Sequence, residues 1–226
     1  MRSWNIGFDL GMLNNRLTVS FDWFNRKTIN MVGPAPELPV TLGANVPKMN
    51  NADMQSTGFE LDLGWRDRIK DFDYSVHLLL SDDRQKILKY PNTTGKINTW
   101  YVGKYNGDIW GFETIGIAKS QEEMDAHLAS LPNGGQDALG VKWGAGDIMY
   151  RDLNGDGKIS DGATLNDPGD KKVIGNTSPR FRFGLDLNAS WKGIDVRLFF
   201  QGVAKRDAWL NDNMFWGATG GIWQSA

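Results

Sequence analysis

The sequence predicts an all-β fold: a segment of an antiparallel up-and-down transmembrane β-barrel, with about six strands in three hairpins, long extracellular loops and one short helix. Three observations predict it. First, six runs of about ten residues alternate apolar and polar side chains, the period of a strand with two unlike faces. About ten tilted residues are what a strand needs to cross the hydrocarbon of a bilayer. Second, the connections between the runs go short, long, short, long, short, so all the tight turns fall on one side and all the long loops on the other. Third, the polar positions carry glycine, aspartate, asparagine, arginine and serine. A water-filled lumen accepts such a face while the apolar one meets lipid.

The first hairpin covers strands at about 3–12 and 16–26. Trp4, Ile6, Phe8 and Leu10 alternate with Asn5, Gly7, Asp9 and Gly11, and after a turn at Asn14-Asn15 the residues Leu17, Val19, Phe21 and Trp23 alternate with Thr18, Ser20 and Asp22. Alternation then stops. Gly33-Pro34, Pro36, Pro39, Gly43 and Pro47 mark 27–56 as a loop without regular structure.

The second hairpin, at about 57–66 and 71–81, sets Phe59, Leu61, Leu63 and Trp65 against Glu60, Asp62, Gly64 and Arg66. After a charged turn, Phe72, Tyr74, Val76, Leu78 and Leu80 form its second apolar face. A connection over 83–179 follows. In it Ser120-Gln121-Glu122-Glu123 has the form of a capping box opening a short helix, with Met124 and Leu128 on one face and Pro132 and Gly134 as the stop. The expectation for this helix is a surface decoration.

The third hairpin, at about 180–191 and 194–203, has Phe181, Phe183, Leu185, Leu187, Ala189 and Trp191 on one face. It turns at Lys192-Gly193 and returns through Ile194, Val196, Leu198 and Phe200. Trp65, Phe72 and Trp191 fall at strand ends beside the short turns, where an aromatic girdle would lie. Beyond Gly202 the chain reads as loop, rich in Trp209, Phe215, Trp216 and Trp223.

Composition narrows the function classes. A net charge of −2 offers no electrostatic case for nucleic acid. With no cysteine, disulfides, thiolate metal sites and cysteine nucleophiles are excluded together, and the two histidines, His77 and His127, are not at ligand spacing. No run of 18 apolar residues offers a transmembrane helix. The start, Met1-Arg2-Ser3-Trp4-Asn5, lacks the apolar core and cleavage site of a signal peptide, and a strand pattern begins almost at once, so the chain is expected to be part of something longer. Acidic residues are plentiful, yet there is no nucleophile elbow, zinc-site spacing or phosphate loop, and no enzyme is expected.

The most specific local pattern lies in the long connection. In Asp152-Leu153-Asn154-Gly155-Asp156-Gly157-Lys158-Ile159 the oxygen side chains fall at alternate positions, a glycine stands where the backbone must bend, and Lys158 can offer its carbonyl at the seventh position. This is the first half of a calcium loop. The twelfth position is Ala163, which has no oxygen to give, so closure must come from Asp161, Asp167 or Asp170 after an insertion. The competing reading is a solvated polar turn with no ion. Mg²⁺ fits less well, because many protein oxygens in a flexible loop suit the larger Ca²⁺.

A soluble, calcium-stabilised, carbohydrate-binding β-domain is the alternative reading, since a β-sandwich also alternates apolar and polar residues. Loop tryptophans (Trp100, Trp110, Trp143, Trp209, Trp216, Trp223) suit sugar stacking in either case. Strand length and the size of the 83–179 connection stand against the sandwich.

Particular segments add a resemblance. Asn14-Asn15-Arg16-Leu17-Thr18, Phe21-Asp22 with Asn25-Arg26-Lys27-Thr28, Gly58-Phe59-Glu60-Leu61, the run from Gly146 to Gly157, Val173-Ile174-Gly175-Asn176 and Phe199-Phe200-Gln201-Gly202 resemble, in content and order, SusC/RagA-type TonB-linked outer-membrane transporters. The resemblance covers nearly the whole chain. It implies a barrel of about 22 strands with an N-terminal plug, import of oligosaccharides or peptides, a SusD-like surface lipoprotein as lid, and energy from TonB through an N-terminal segment. Plug, TonB-contacting segment and final aromatic-ended strand are not found here, so an internal piece of the barrel wall with two extracellular loops is expected. The resemblance also favours Asp170 as closing ligand, because related chains place an aspartate shortly before the Val173-Ile174-Gly175 segment.

Overall fold

The computed structural model describes residues 1–34 and 47–209. Its frame is one antiparallel sheet of six strands: β1 (Arg2–Met12), β2 (Leu17–Gly33), β3 (Met49–Ile69), β4 (Phe72–Lys89), β9 (Arg180–Trp191) and β10 (Ile194–Lys205), paired in that order. Every neighbour in the sheet is also the next long strand in sequence, so the chain is a plain up-and-down meander. Between β4 and β9 it leaves the sheet, forms β5 (Asp108–Phe112), β6 (Thr114–Ile117), helix α1 (Gln121–Ala129), β7 (Ile148–Tyr150) and β8 (Lys171–Asn176), and returns to pair β9 directly with β4. Within this excursion β5 pairs with β8 and β6 with β7.

The sheet carries the alternation across strands as well as along them. One row joins Leu10, Val19, Leu63, Leu78, Leu185 and Phe200, and the next on the same face joins Met12, Leu17, Trp65, Val76, Leu187 and Leu198. Between them runs Gly11, Thr18, Gly64, His77 and Asp186 on the other face. Glu60, Asp62, His77, Arg182 and Asp186 therefore share one face, and Leu63, Leu78, Leu185 and Leu198 the other. Each face is continuous because a period of two survives any in-register pairing.

Strands β2, β3 and β4, with 17, 21 and 18 residues, run well beyond the expected bounds. Much of 27–56 is therefore not irregular: β2 continues to Gly33 and β3 begins at Met49, with shifts of register between Thr28 and Met31. The ladder persists because backbone pairing does not require alternation, and a bulge absorbs the extra residues. Pro36, Pro39 and Gly43 of that loop, and Phe215, Trp216 and Trp223 of the tail, lie outside the described residues.

Among the described residues, the buried apolar ones are Ala52, Ile87, Ile97, Ala118, Met124, Leu131, Met149 and Ile159. All lie in the excursion or at the loop-side ends of β3 and β4. The apolar face of the sheet itself stays uncovered: Phe8, Leu198 and Phe200 are each about half exposed (50%, 49% and 51%). Among the described residues there is no second layer, so this is not the packing of a sandwich. Helix α1, expected to be decoration, instead supplies the centre of the excursion's small core. Met124 is fully buried against Ala118 and Met149, with Leu128 and Trp143 packed around it. The cap is the one the sequence announces, Ser120 Oγ accepting from Glu123 N at 3.3 Å.

Candidate functional site

The Asp152–Ile159 turn is built by its own side chains. The Asp152 carboxylate accepts from Gly155 N (2.6 Å) and Gly157 N (2.8 Å), Asn154 Oδ1 accepts from Asp156 N (2.9 Å), and Asp156 Oδ1 accepts from Lys158 N (3.1 Å). Gly155 and Gly157 have φ of 75° and 78°, left-handed values that favour glycine, which is why the chain can fold back at both points. Burial pushes the Asp152 carboxyl up, but the N–H groups of Gly157 and Gly155 outweigh it and hold the group below the ordinary carboxylate range.

Asp170 reaches this turn from 14 positions beyond Asp156 and is fully buried at its centre. Its Oδ1 accepts from Leu153 N (2.7 Å) and Asn154 N (3.4 Å), and its Oδ2 from Ser160 N (2.6 Å) and Ser160 Oγ (3.1 Å). The carboxylates of Asp152, Asp156 and Asp170 each offer an oxygen, all within 4.8 Å of one another. Oxygens on opposite sides of one Ca²⁺, at about 2.4 Å each, stand about 4.8 Å apart, so the three fit a single ion. The donor set is all oxygen, as a hard cation requires, and no cation side chain pairs with Asp170 among the described residues. The Lys158 carbonyl receives no hydrogen bond from a described residue. Asp161 lies apart, in an ion pair with Lys171, and Asp167 accepts from Gly169 N at 3.4 Å.

Other residues support the turn, and spacing in the sequence gives no hint of them. Asn133, just beyond α1, donates from Nδ2 to the Asp156 carbonyl (2.6 Å) and from its backbone N to the Gly157 carbonyl (2.8 Å). Ile159 is buried beside it, its N–H bonded to the Gly135 carbonyl at 2.7 Å. Gln136, fully buried, accepts from Tyr150 N (2.7 Å), meets His127 Nε2 (3.0 Å) and donates to the Ile148 carbonyl (3.1 Å). The only signal near them is the Pro132-Asn133-Gly134 turn, which by itself reads as a helix stop.

The loop tryptophans expected for sugar stacking are mostly engaged elsewhere. Trp100 lies edge-on to Tyr90 with centroids 5.6 Å apart, Trp110 Nε1 donates to Tyr101 Oη (3.2 Å), and Trp143 donates to the Gly140 carbonyl (3.1 Å) while packing on the Met124 core. Of the loop tryptophans among the described residues, Trp209 is well exposed, at 63%.

An uncovered apolar face, a polar opposite face and a meander of long strands together are the wall of a membrane barrel. The family described as TonB dependent receptor-like, beta-barrel matches residues 1–221. The chain belongs to that family. Members are outer-membrane transporters rather than enzymes, in keeping with a sequence that shows no catalytic motif. TonB-dependent receptor P3 of Formosa agariphila is 26% identical over 211 residues, covering 87% of this chain and 19% of the relative. TonB-dependent receptor SusC of Bacteroides thetaiotaomicron is 25% identical over 204 residues, covering 85% of this chain and 18% of the relative. The RagAB peptide transporter structure superposes with a TM-score of 0.60 at 21% identity, over 89% of this chain and 20% of that one, and shares its fold. This SusC/RagA-type barrel segment thus spans about one fifth of the relatives it matches.

Proposed function

We propose that this segment supplies barrel wall and extracellular loops to an importer that takes up oligosaccharides or peptides, works with a SusD-like surface lipoprotein and draws energy from TonB through a region outside this chain. The observation that carries the reading is the sheet's uncovered apolar face, which has a use only where lipid replaces water. The apolar face then meets the membrane, the polar face lines the lumen, and the excursion between β4 and β9 stands outside the cell toward substrate and lid.

Within that excursion Asp152, Asn154, Asp156, the Lys158 carbonyl and Asp170 hold one Ca²⁺ in a structural role. The ion offsets repulsion among three close carboxylates and joins the turn to the strand that begins at Lys171. Folding of the excursion and binding of the ion are then linked.

Uptake of labelled oligosaccharides and peptides by cells carrying the full-length protein tests the reading. Deleting residues 90–170 should leave the barrel in the outer membrane and abolish uptake of the class it imports. Undiminished uptake by a correctly inserted deletion would refute the role given to the excursion.

A further inference from the structure

Above the apolar band, on the same outer face, the sheet lines up cations. The row Ile6, Trp23, Phe59 and Asp82 bounds the band on the loop side, and the next row of that face is Trp4, Asn25, Thr57 and Arg84. The row after it is Arg2, Lys27, Gln55 and Lys86. These two rows hold four cations and no anion. None of the four forms an ion pair among the described residues, whereas the one acid just below, Asp82, is buried and taken by Arg180 through both carboxylate oxygens.

Tyr105, held beside β4 by a bridge to Lys86, packs on the β4 end of these rows. The Arg84 guanidinium lies 3.9 Å from its ring centroid and the Lys86 Nζ 5.7 Å. With Trp23, Gln55, Thr57, Phe59 and Asp82 these side chains line an open cleft of about 410 Å³. Its lining joins aromatic rings and cations, and Gln55 and Thr57 add neutral hydrogen-bonding groups, with Gln55 Nε2 donating to the neighbouring Asn25 Oδ1 at 3.0 Å.

Height along the barrel identifies the occupant. From Phe59 to Ile69, where Phe72 and Trp191 mark the opposite end, is ten steps of strand, about 33 Å of path. At a tilt of about 40° this projects to about 25 Å, the height of the apolar band of an outer-membrane barrel. Arg84 and Lys86 lie two and four residues past that limit, about 5 and 10 Å higher, at the depth of lipid headgroups. Two forked guanidinium groups and two ammonium groups match phosphate oxygens in number and charge.

We infer that Arg2, Lys27, Arg84 and Lys86 form a strip on the outer wall that binds the phosphate groups of anionic lipids in the leaflet on the long-loop side. The inference rests on the proposed reading that the apolar face meets lipid. The strip fixes the height of the barrel in the bilayer and seals the wall beneath the excursion.

The test uses the full-length transporter in nanodiscs of phosphatidylcholine doped with lipid A, with retained lipid counted by native mass spectrometry. Lys27→Gln/Arg84→Gln/Lys86→Gln should lower lipid A retention by on the order of 100-fold, at roughly fivefold per cation lost, and leave phosphatidylcholine retention unchanged. Arg84→Lys/Lys86→Arg, which keeps the charge, should restore most of it. Equal lipid A retention by a folded triple variant, or displacement of lipid A by millimolar inorganic phosphate, overturns the inference. Leu63→Arg in the same nanodiscs separates the two readings. If it costs no stability, the lipid-facing reading falls and the strip with it. If that cost stands while lipid A retention is indifferent to the strip, only the strip falls.

Discussion

Arginine at Leu63 is the sharpest probe of the wall. Leu63 pairs with Val19 on one side and Leu78 on the other, in a row that continues through Leu185 and Phe200. It stands four residues from the Phe59 edge of a band that ends ten residues on, at Ile69, which places it about 10 Å below one margin and about 15 Å from the other. That is within about 3 Å of the bilayer midplane, where an arginine on the lipid face of a barrel costs about 2–4 kcal/mol. The same residue at Glu60, exposed on the polar face, exchanges one solvated charge for another and should cost no more than about 0.5 kcal/mol. Reversible unfolding of the full-length protein in lipid vesicles by guanidinium, followed by tryptophan fluorescence, measures both. A cost for Glu60→Arg equal to or above that for Leu63→Arg would refute the assignment of faces, and with it the barrel wall.

Other expectations follow from the same structure. Whole-cell maleimide labelling should reach Val141→Cys, 90% exposed in the excursion, and fail at Asn15→Cys in the first tight turn; the reverse pattern would invert the topology. Calorimetry on the full-length protein should show Ca²⁺ binding that Asp156→Ala or Asp170→Ala abolishes and Asp161→Ala leaves nearly intact, since Asp161 is held by Lys171. Asn133→Ala, which removes a bond to the Asp156 carbonyl, should weaken that affinity roughly tenfold through misplacement of the turn. The hydrogen bond from Lys172 and the charges of Arg151 and Lys172 hold the Glu113 carboxyl below its ordinary value. A depressed carboxyl contributes stability that is complete above its unfolded value of about 4.3 and lost as pH falls through the lower folded one. Protease protection of the excursion should therefore hold above pH about 4.3 and decline below it, and Glu113→Gln should flatten that decline.

The alternation of single residues was enough to place the six long strands, their order and both faces of the sheet. A strand's side-chain period is local, and the tight turns at Asn14-Asn15 and Lys192-Gly193 pair neighbours in register without help from elsewhere. The capping box likewise announced α1 from four residues. Three things depended on contacts between distant segments. The loop-side extensions of β2, β3 and β4 rest on cross-strand hydrogen bonds that place no demand on side-chain pattern, so alternation fades while the ladder continues. The joining of Asp170 and Asn133 to the Asp152–Asp156 turn depends on how the excursion folds back on itself, and Asp161, nearer in sequence, is drawn away by Lys171. The cationic strip is invisible in any one strand, because Arg2, Lys27, Arg84 and Lys86 come together only when the registers of three strand pairs are set. Local sequence decides which face a residue takes, and only pairing across the sheet decides what stands beside it there.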